Sequence, residues 1–181
     1  LGLINPDFIV DVDGAAGGII NANRDSFMLY DMKERFLDAP VFIVPNGFDV
    51  ARLTLGGAEL KDGGAFWNDI FGDKHFSFDY EGFRFIGINS FGCGGGAPLL
   101  LSGRPTVGCI GDDEFRWLEG RFADGVKEGL QLVLFLHHEP SAGVWTDNSG
   151  RGSIVFDGKS RRKLLGLCAK HGAQAVFSGY V

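Results

Sequence analysis

The sequence predicts a mixed α/β domain, and three observations carry that expectation. Six short apolar runs bounded by turn residues read as strands, at residues 7–12, 40–44, 75–79, 83–89, 130–136 and 173–178. Three longer segments with helical periodicity, residues 24–37, 112–127 and 160–171, lie between some of them. Strand–helix–strand occurs at least twice with a hairpin in between, the order expected of helices layered on a sheet.

Each element has a local reason. HFSFDY and FRFIGIN flank Glu81-Gly82, and Phe76, Phe78, Phe83 and Phe85 alternate as a strand pair requires. Segment 24–37 carries Phe27, Met28 or Tyr30, and Phe36 on one broad face. Segment 112–127 places Phe115, Leu118, Phe122 and Val126 in one stripe, with Asp112 and Asp113 at the end where a helix favours negative charge. Segment 160–171 carries Leu164, Leu165, Leu167 and Cys168 and stops at Gly172, a residue suited to the left-handed turn after a helix. Residues 91–111 and 141–158 are glycine-rich or polar and read as loops.

Composition bounds the function. With 181 residues, 45% apolar and 22% charged, the chain fits a single domain over residues 1–181. A net charge of −6 supplies no field for nucleic acid or an anionic membrane, so neither is expected as a partner. The longest apolar runs are strand-length and far short of a membrane span. No signal-peptide pattern opens the chain, and with Leu1 in place of an initiator Met an upstream segment is expected. Localisation is otherwise unmarked. Cys93, Cys109 and Cys168 are odd in number and widely spaced, which predicts unpaired thiols and a lean towards a reducing compartment. The 17 phenylalanines read as core and hairpin filling, because no basic residues are interleaved with them.

Generic motifs fail one by one. GRGSIVFDGKS has five residues between Gly152 and Gly158 where a phosphate loop needs four. GCGGG at residues 92–96 opens no helix, and no GxSxG is present. What remains is a set of polar residues just after apolar strands. Asp11 and Asp13 end the first, Asn46 and Asp49 follow the second, His137, His138 and Glu139 follow the fifth, and Tyr180 follows the sixth. Strand ends converge in layered folds, and Asp, Asn and His are the donors that a divalent metal pair takes. Each residue alone is explained as well by turn chemistry.

Taken in order, these segments resemble a calcineurin-like metallophosphoesterase over nearly the whole chain. PDFIVDVDG is similar to the strand that ends in Gly-Asp in that family, and APVFIVPNGFD to the strand ending in Gly-Asn-His-Asp. HFSFDYEGFRFIGINS resembles the hairpin that follows, EFRWLEGRFADG the next helix, LVLFLHHEP the strand with a metal-binding His, and AVFSGYV the strand before Gly-His-x-His. The resemblance implies two stacked mixed β-sheets flanked by helices in four layers. It also implies a pair of divalent metals (Mn, Fe or Zn) and a small phosphoester substrate, and it names no protein partner. It implies further that the domain here lacks its first strand and its C-terminal end.

The family's ligands are mostly replaced. Gly14 stands at the bridging carboxylate, Gly47 at the ligand Asn, Phe48 at the His that aids the leaving group, and Tyr180 at the first His of the last motif. His137 alone matches a ligand position, and Asp49 matches a residue that supports the ligands from behind. Two-metal hydrolysis needs ions about 3.5–4 Å apart, held by several donors. Glycine and phenylalanine supply none, and a phenol of ordinary pKa about 10 keeps its proton near neutrality. Weak or absent hydrolysis is therefore expected. Both altered dipeptides are reversals, so Asp13 and Asn46 carry the right chemistry one position early. A one-residue slip in a strand turns a side chain to the opposite face, though glycine in the loop beyond could return it. The alternative is an active enzyme using Asp13, Asn46 and His137, with Asp11 and ligands from outside this chain. His138 and Tyr180 are the candidates for touching substrate.

Overall fold

The computed structural model describes residues 6–14, 31, 38–50, 52–55, 58–62, 64–92, 107–141, 145–146, 152–153 and 156–180. The helix expected at residues 24–37 lies outside them apart from Asp31. The described chain is mixed α/β. Strand β1 (Ile9–Asp11) pairs in parallel with β2 (Val41–Ile43), Asp11 standing opposite Ile43. One helical turn, α1 (Gly47–Val50), leads into a small antiparallel pair, β3 (Arg52–Leu55) and β4 (Ala58–Asp62), and then into α2 (Ala65–Phe71). None of these four was among the expected elements: α1 and α2 are too short for a helical period to register, and β3 (RLTL) and β4 (AELKD) are not apolar runs.

The hairpin of β5 (Phe76–Tyr80) and β6 (Phe83–Gly87) forms where the alternation places it. Glu81 and Gly82 both have positive φ, 48° and 80°, the two-residue turn whose twist matches that of paired strands. Helix α3 (Asp112–Lys127) then crosses to β7 (Gln131–His138), and α4 (Gly158–His171) crosses from β7 to β10 (Ala175–Tyr180). Strands β6, β7 and β10 run parallel, and the order across the sheet is β10-β7-β6-β5. A short pair, β8 (Trp145–Thr146) and β9 (Gly152–Ser153), falls within the segment expected to be loop.

The sheet packs against a layer on each face, and side-chain period 2 sorts the residues between them. On one face Ile86, Ile88, Leu132, Leu134 and Leu136 pack with Phe115, Leu118 and Phe122 of α3 and Leu164, Leu167 and Cys168 of α4. On the other, Val133, Phe135, Phe76, Phe83 and Phe85 pack with Val10, Val12 and Val44 from the β1–β2 pair. Aromatic rings fill that second layer: Phe8 lies 5.0 Å from Phe78 and 4.9 Å from Phe85, and Phe42 stacks on Phe78 at 4.0 Å. Many of the phenylalanines thus serve as mortar between two stacked strand layers, with helices behind one of them.

The helices depart from the sequence expectation in two details. The stripe on α3 runs Phe115, Leu118, Phe122 and Gly125, while Val126 is half exposed. Gly125 is the better fit because Leu132 and the stem of Arg84 press close to it. Helix α4 starts at Gly158, two residues earlier than expected, because the Asp157 carboxylate accepts the Ser160 backbone N–H at 2.7 Å. That bond holds the Asp157 carboxyl below its ordinary range. Asp157→Ala is expected to cost about 1 kcal/mol in urea unfolding near neutral pH. The contribution is present above the ordinary carboxylate pKa and disappears as pH falls through the lowered native value, so the difference between variant and parent should vanish in acid.

Candidate functional site

The parallel strands β1, β2, β6, β7 and β10 bring polar residues to their C-terminal ends, where a layered fold collects functional groups. The last two residues of β7 are His137 and His138, so the strand runs two residues beyond its expected end. As neighbours in a strand, the two histidines face opposite sides of the sheet. His137 follows Val133 and Phe135 towards the β1–β2 layer, and His138 follows Leu132, Leu134 and Leu136 towards the helical layer.

His137 meets the end of β1. Its Nδ1 lies 3.3 Å from the Val12 carbonyl and 3.6 Å from Asp13 Oδ1. A carbonyl only accepts, so the neutral ring carries its hydrogen on Nδ1 and its lone pair on Nε2. The His137 side chain is 7% exposed and that of Asp13 is 78% exposed, so one partner is buried and the other stands in water. Burial pushes the imidazole below its ordinary range, while the Val12 carbonyl and then Asp13 act in the opposite direction. The unfolded chain therefore takes up this proton first, and stability is lost as pH falls below the ordinary histidine pKa, about 6.5. The urea midpoint is expected to decline between about pH 7 and pH 5.5, and to decline less in His137→Gln.

The segment after β2 forms a closed knot of hydrogen bonds. The Asn46 backbone N–H donates to Asp49 Oδ2 at 2.8 Å, and the Asp49 N–H donates to Asn46 Oδ1 at 3.1 Å. Asn46 Nδ2 donates to the Asp13 carbonyl, tying the end of β2 to the end of β1. Both side chains are buried, and Asp49 is only 2% exposed. Asp11 Oδ1 likewise accepts the Asp13 backbone N–H at 2.9 Å. Asp11, Asn46 and Asp49 thus act on backbone groups in the manner of turn residues. Gly14 closes the knot from above with φ at +79°. A Cβ there would lie 2.0 Å from Asp49 Oδ2 and 2.7 Å from the Asn46 backbone nitrogen.

His138 is fully buried, and the Ser90 hydroxyl lies 2.8 Å from its Nδ1 and accepts its backbone N–H at 3.3 Å. Phe91 covers both histidines, its ring centroid 5.4 Å from that of His137 and 4.3 Å from that of His138. Sequence reasoning missed Ser90 and Phe91. They follow the polar Asn89 directly after an apolar strand, the same signal that singled out the other strand ends. Tyr180 closes β10 in register with His138, and Glu139 follows β7 directly. At that end of β10, a Cβ on Gly179 would meet the Val12 carbonyl oxygen at 2.1 Å, so β10 abuts β1 with no room for a side chain.

The structure therefore brings Asp13 to His137 and binds Asn46 and Asp49 to each other, while His138 belongs to the core with Ser90. Among the described residues, the donors expected for a pair of divalent ions are engaged in the fold. Asn46 gives both ends of its amide to the fold, and Gly14 has no side chain in a place that admits none. Among the described residues, no three His, Cys, Asp or Glu side chains form a group that could hold a metal. No helix among them is long and apolar enough to cross a membrane.

One expectation is corrected outright. The spacing of the cysteines suggested unpaired thiols, yet Cys109 is disulfide-bonded, while Cys168 is free and buried. A β-bridge between Phe91 and Cys109 joins segments far apart in the chain, a proximity that spacing alone does not show.

No family model matches the chain, and no curated protein matches it.

Proposed function

We propose that the chain is a metallophosphoesterase-like domain that has lost the donors for its metal pair, hydrolyses phosphoesters weakly or not at all, and serves as a binding module. The order of strand, hairpin, helix and histidine-bearing strand quoted from the sequence supports the frame. The two strand layers joined by phenylalanines, with α3 and α4 behind one of them, are compatible with it. One observation carries the loss of activity: Gly14 packs so closely on Asp49 and Asn46 that the bridging carboxylate has neither a residue to provide it nor space to sit.

A second reading, an active enzyme, draws on the approach of Asp13 to His137. There the reversed Asp-Gly returns a carboxylate to the histidine, and donors from outside the chain complete the set together with Asn46. Hydrolysis of p-nitrophenyl phosphate and bis(p-nitrophenyl) phosphate in Mn²⁺, Zn²⁺ or Fe²⁺ separates the two. Rates matching those of His137→Ala are expected. Metal-dependent turnover that disappears in His137→Ala would establish the second reading instead.

A further inference from the structure

We propose that His75, oriented by Glu114 and stacked on Trp117, is a nucleophile for acyl transfer that cleaves small neutral carboxylic esters without metal. Its place follows from the topology. Strand β5 runs antiparallel to β6 with Phe76 opposite Gly87, so the residue before β5 lies at the C-terminal end of β6. His75 thus stands at the end of the sheet where the parallel strands present their polar residues. Three contacts fix it there. Its Nδ1 lies 3.0 Å from Glu114 Oε2, and a carboxylate only accepts, so the neutral ring has its hydrogen on Nδ1 and its lone pair on Nε2. Glu114 Oε1 accepts the Asn89 backbone N–H at 3.0 Å, which holds the carboxylate between β6 and α3. Trp117, one turn along α3 from Glu114, stacks on the imidazole at 3.9 Å with 22° between the planes.

The reactive edge is open. The His75 side chain is 25% exposed while that of Glu114 is 15% exposed, so the orienting group lies deeper than the ring. Among the described residues no group bonds to Nε2, and this nitrogen is not one of the buried, unpartnered polar atoms, so it reaches solvent. An imidazole with one nitrogen on a carboxylate and the other free is a base with its orienting group in place. Among the described residues no hydroxyl or thiol bonds to this ring, so the ring itself attacks. Neither His75 nor Glu114 is bonded to a lysine or arginine among them, which leaves no cation to receive a phosphoryl group and favours a neutral acyl carbon. Nε2 bonds to that carbon as the ester carbon–oxygen bond breaks, and the alcohol oxygen leaves with the electron pair. The Nδ1 proton passes to Glu114 as the acyl-imidazole forms. Water then cleaves the carbon–nitrogen bond, giving its hydroxyl to the acyl group and its other proton to the departed alkoxide or phenolate. The proton on Glu114 returns to Nδ1, and the sum is ester plus water to acid plus alcohol.

Hydrolysis of p-nitrophenyl acetate by the full chain in EDTA tests this. The parent is expected to release p-nitrophenolate at least about tenfold faster than His75→Gln, and faster than Glu114→Gln by a smaller factor. His171→Gln, away from this pair, is expected to match the parent. A long-range ¹H–¹⁵N spectrum of the neutral His75 ring is expected to place its hydrogen on Nδ1, and Glu114→Gln to weaken that preference. Equal rates in the parent and a folded His75→Gln would overturn the proposal, and so would a neutral ring with its hydrogen on Nε2. The tautomer is read on the unaltered chain, so the test does not depend on either variant folding. An ester without phosphorus, cleaved in chelator, keeps this inference apart from the phosphoesterase reading, and each can fail alone.

Discussion

Replacing Gly14 with alanine is expected to lower stability by about 3 kcal/mol, and replacing it with aspartate by at least as much. Two costs add. The φ of +79° is one that a residue with a Cβ adopts at a cost of about 1–2 kcal/mol. The new carbon would also overlap Asp49 Oδ2 at 2.0 Å and the Asn46 backbone nitrogen at 2.7 Å, and overpacking of this kind costs about 1–3 kcal/mol. The side chain of Asp49 could shift, but the Asn46 backbone is held by β2 and α1. In a chain of this size the melting temperature should fall by about 6–12 °C. In urea the midpoint should fall with the slope unchanged. Gly14→Asp would supply a carboxylate at the proposed bridging position, yet against a buried Asp49, and no gain in metal affinity is expected from it. The double variant Gly14→Ala with Asp49→Ala should lose less than the sum of the two single variants, and the difference assigns that part to the Asp49 contact. Parent-like stability in Gly14→Ala would show that this knot is not packed as described.

Phe122→Ala should lower stability by about 3–5 kcal/mol, the largest effect expected from one side chain here. Phe122 is fully buried between α3 and the sheet, among Leu118, Leu132 and Leu164. Val126, one turn further along the same helix, is half exposed, so Val126→Ala is expected to stay within about 0.5 kcal/mol of the parent. The contrast tests the packed face of α3 directly. Similar losses from both substitutions would mean that the helix lies on the sheet at a different angle.

Much of this fold was legible because its elements repeat a simple period. Helix α3 has the bounds that the Phe115–Leu118–Phe122 stripe and the acidic start assign to it, and the hairpin turns at Glu81-Gly82 as its alternation requires. Period 2 also contains, once β7 is extended, the reason why His137 joins the cluster and His138 enters the core. What was not legible depends on contacts between distant segments. The residue opposite Gly14 is Asp49, and no local pattern links the two. The bond from Asn46 to the Asp13 carbonyl turns a candidate metal donor into a structural brace, which becomes visible only once β1 and β2 lie side by side. The disulfide at Cys109 is hidden for the same reason. The short helices α1 and α2 carry too few residues for a period to register, and β3 and β4 lack the apolar run that marks the other strands.

Whether the strand-end cluster has the donors for a metal pair is decided by calorimetric titration of Mn²⁺ and Zn²⁺ into the purified chain, with His137→Ala as control. Absent binding, or weak binding indifferent to His137, is the expected result. Two ions bound with micromolar affinity, and lost in His137→Ala, would contradict it.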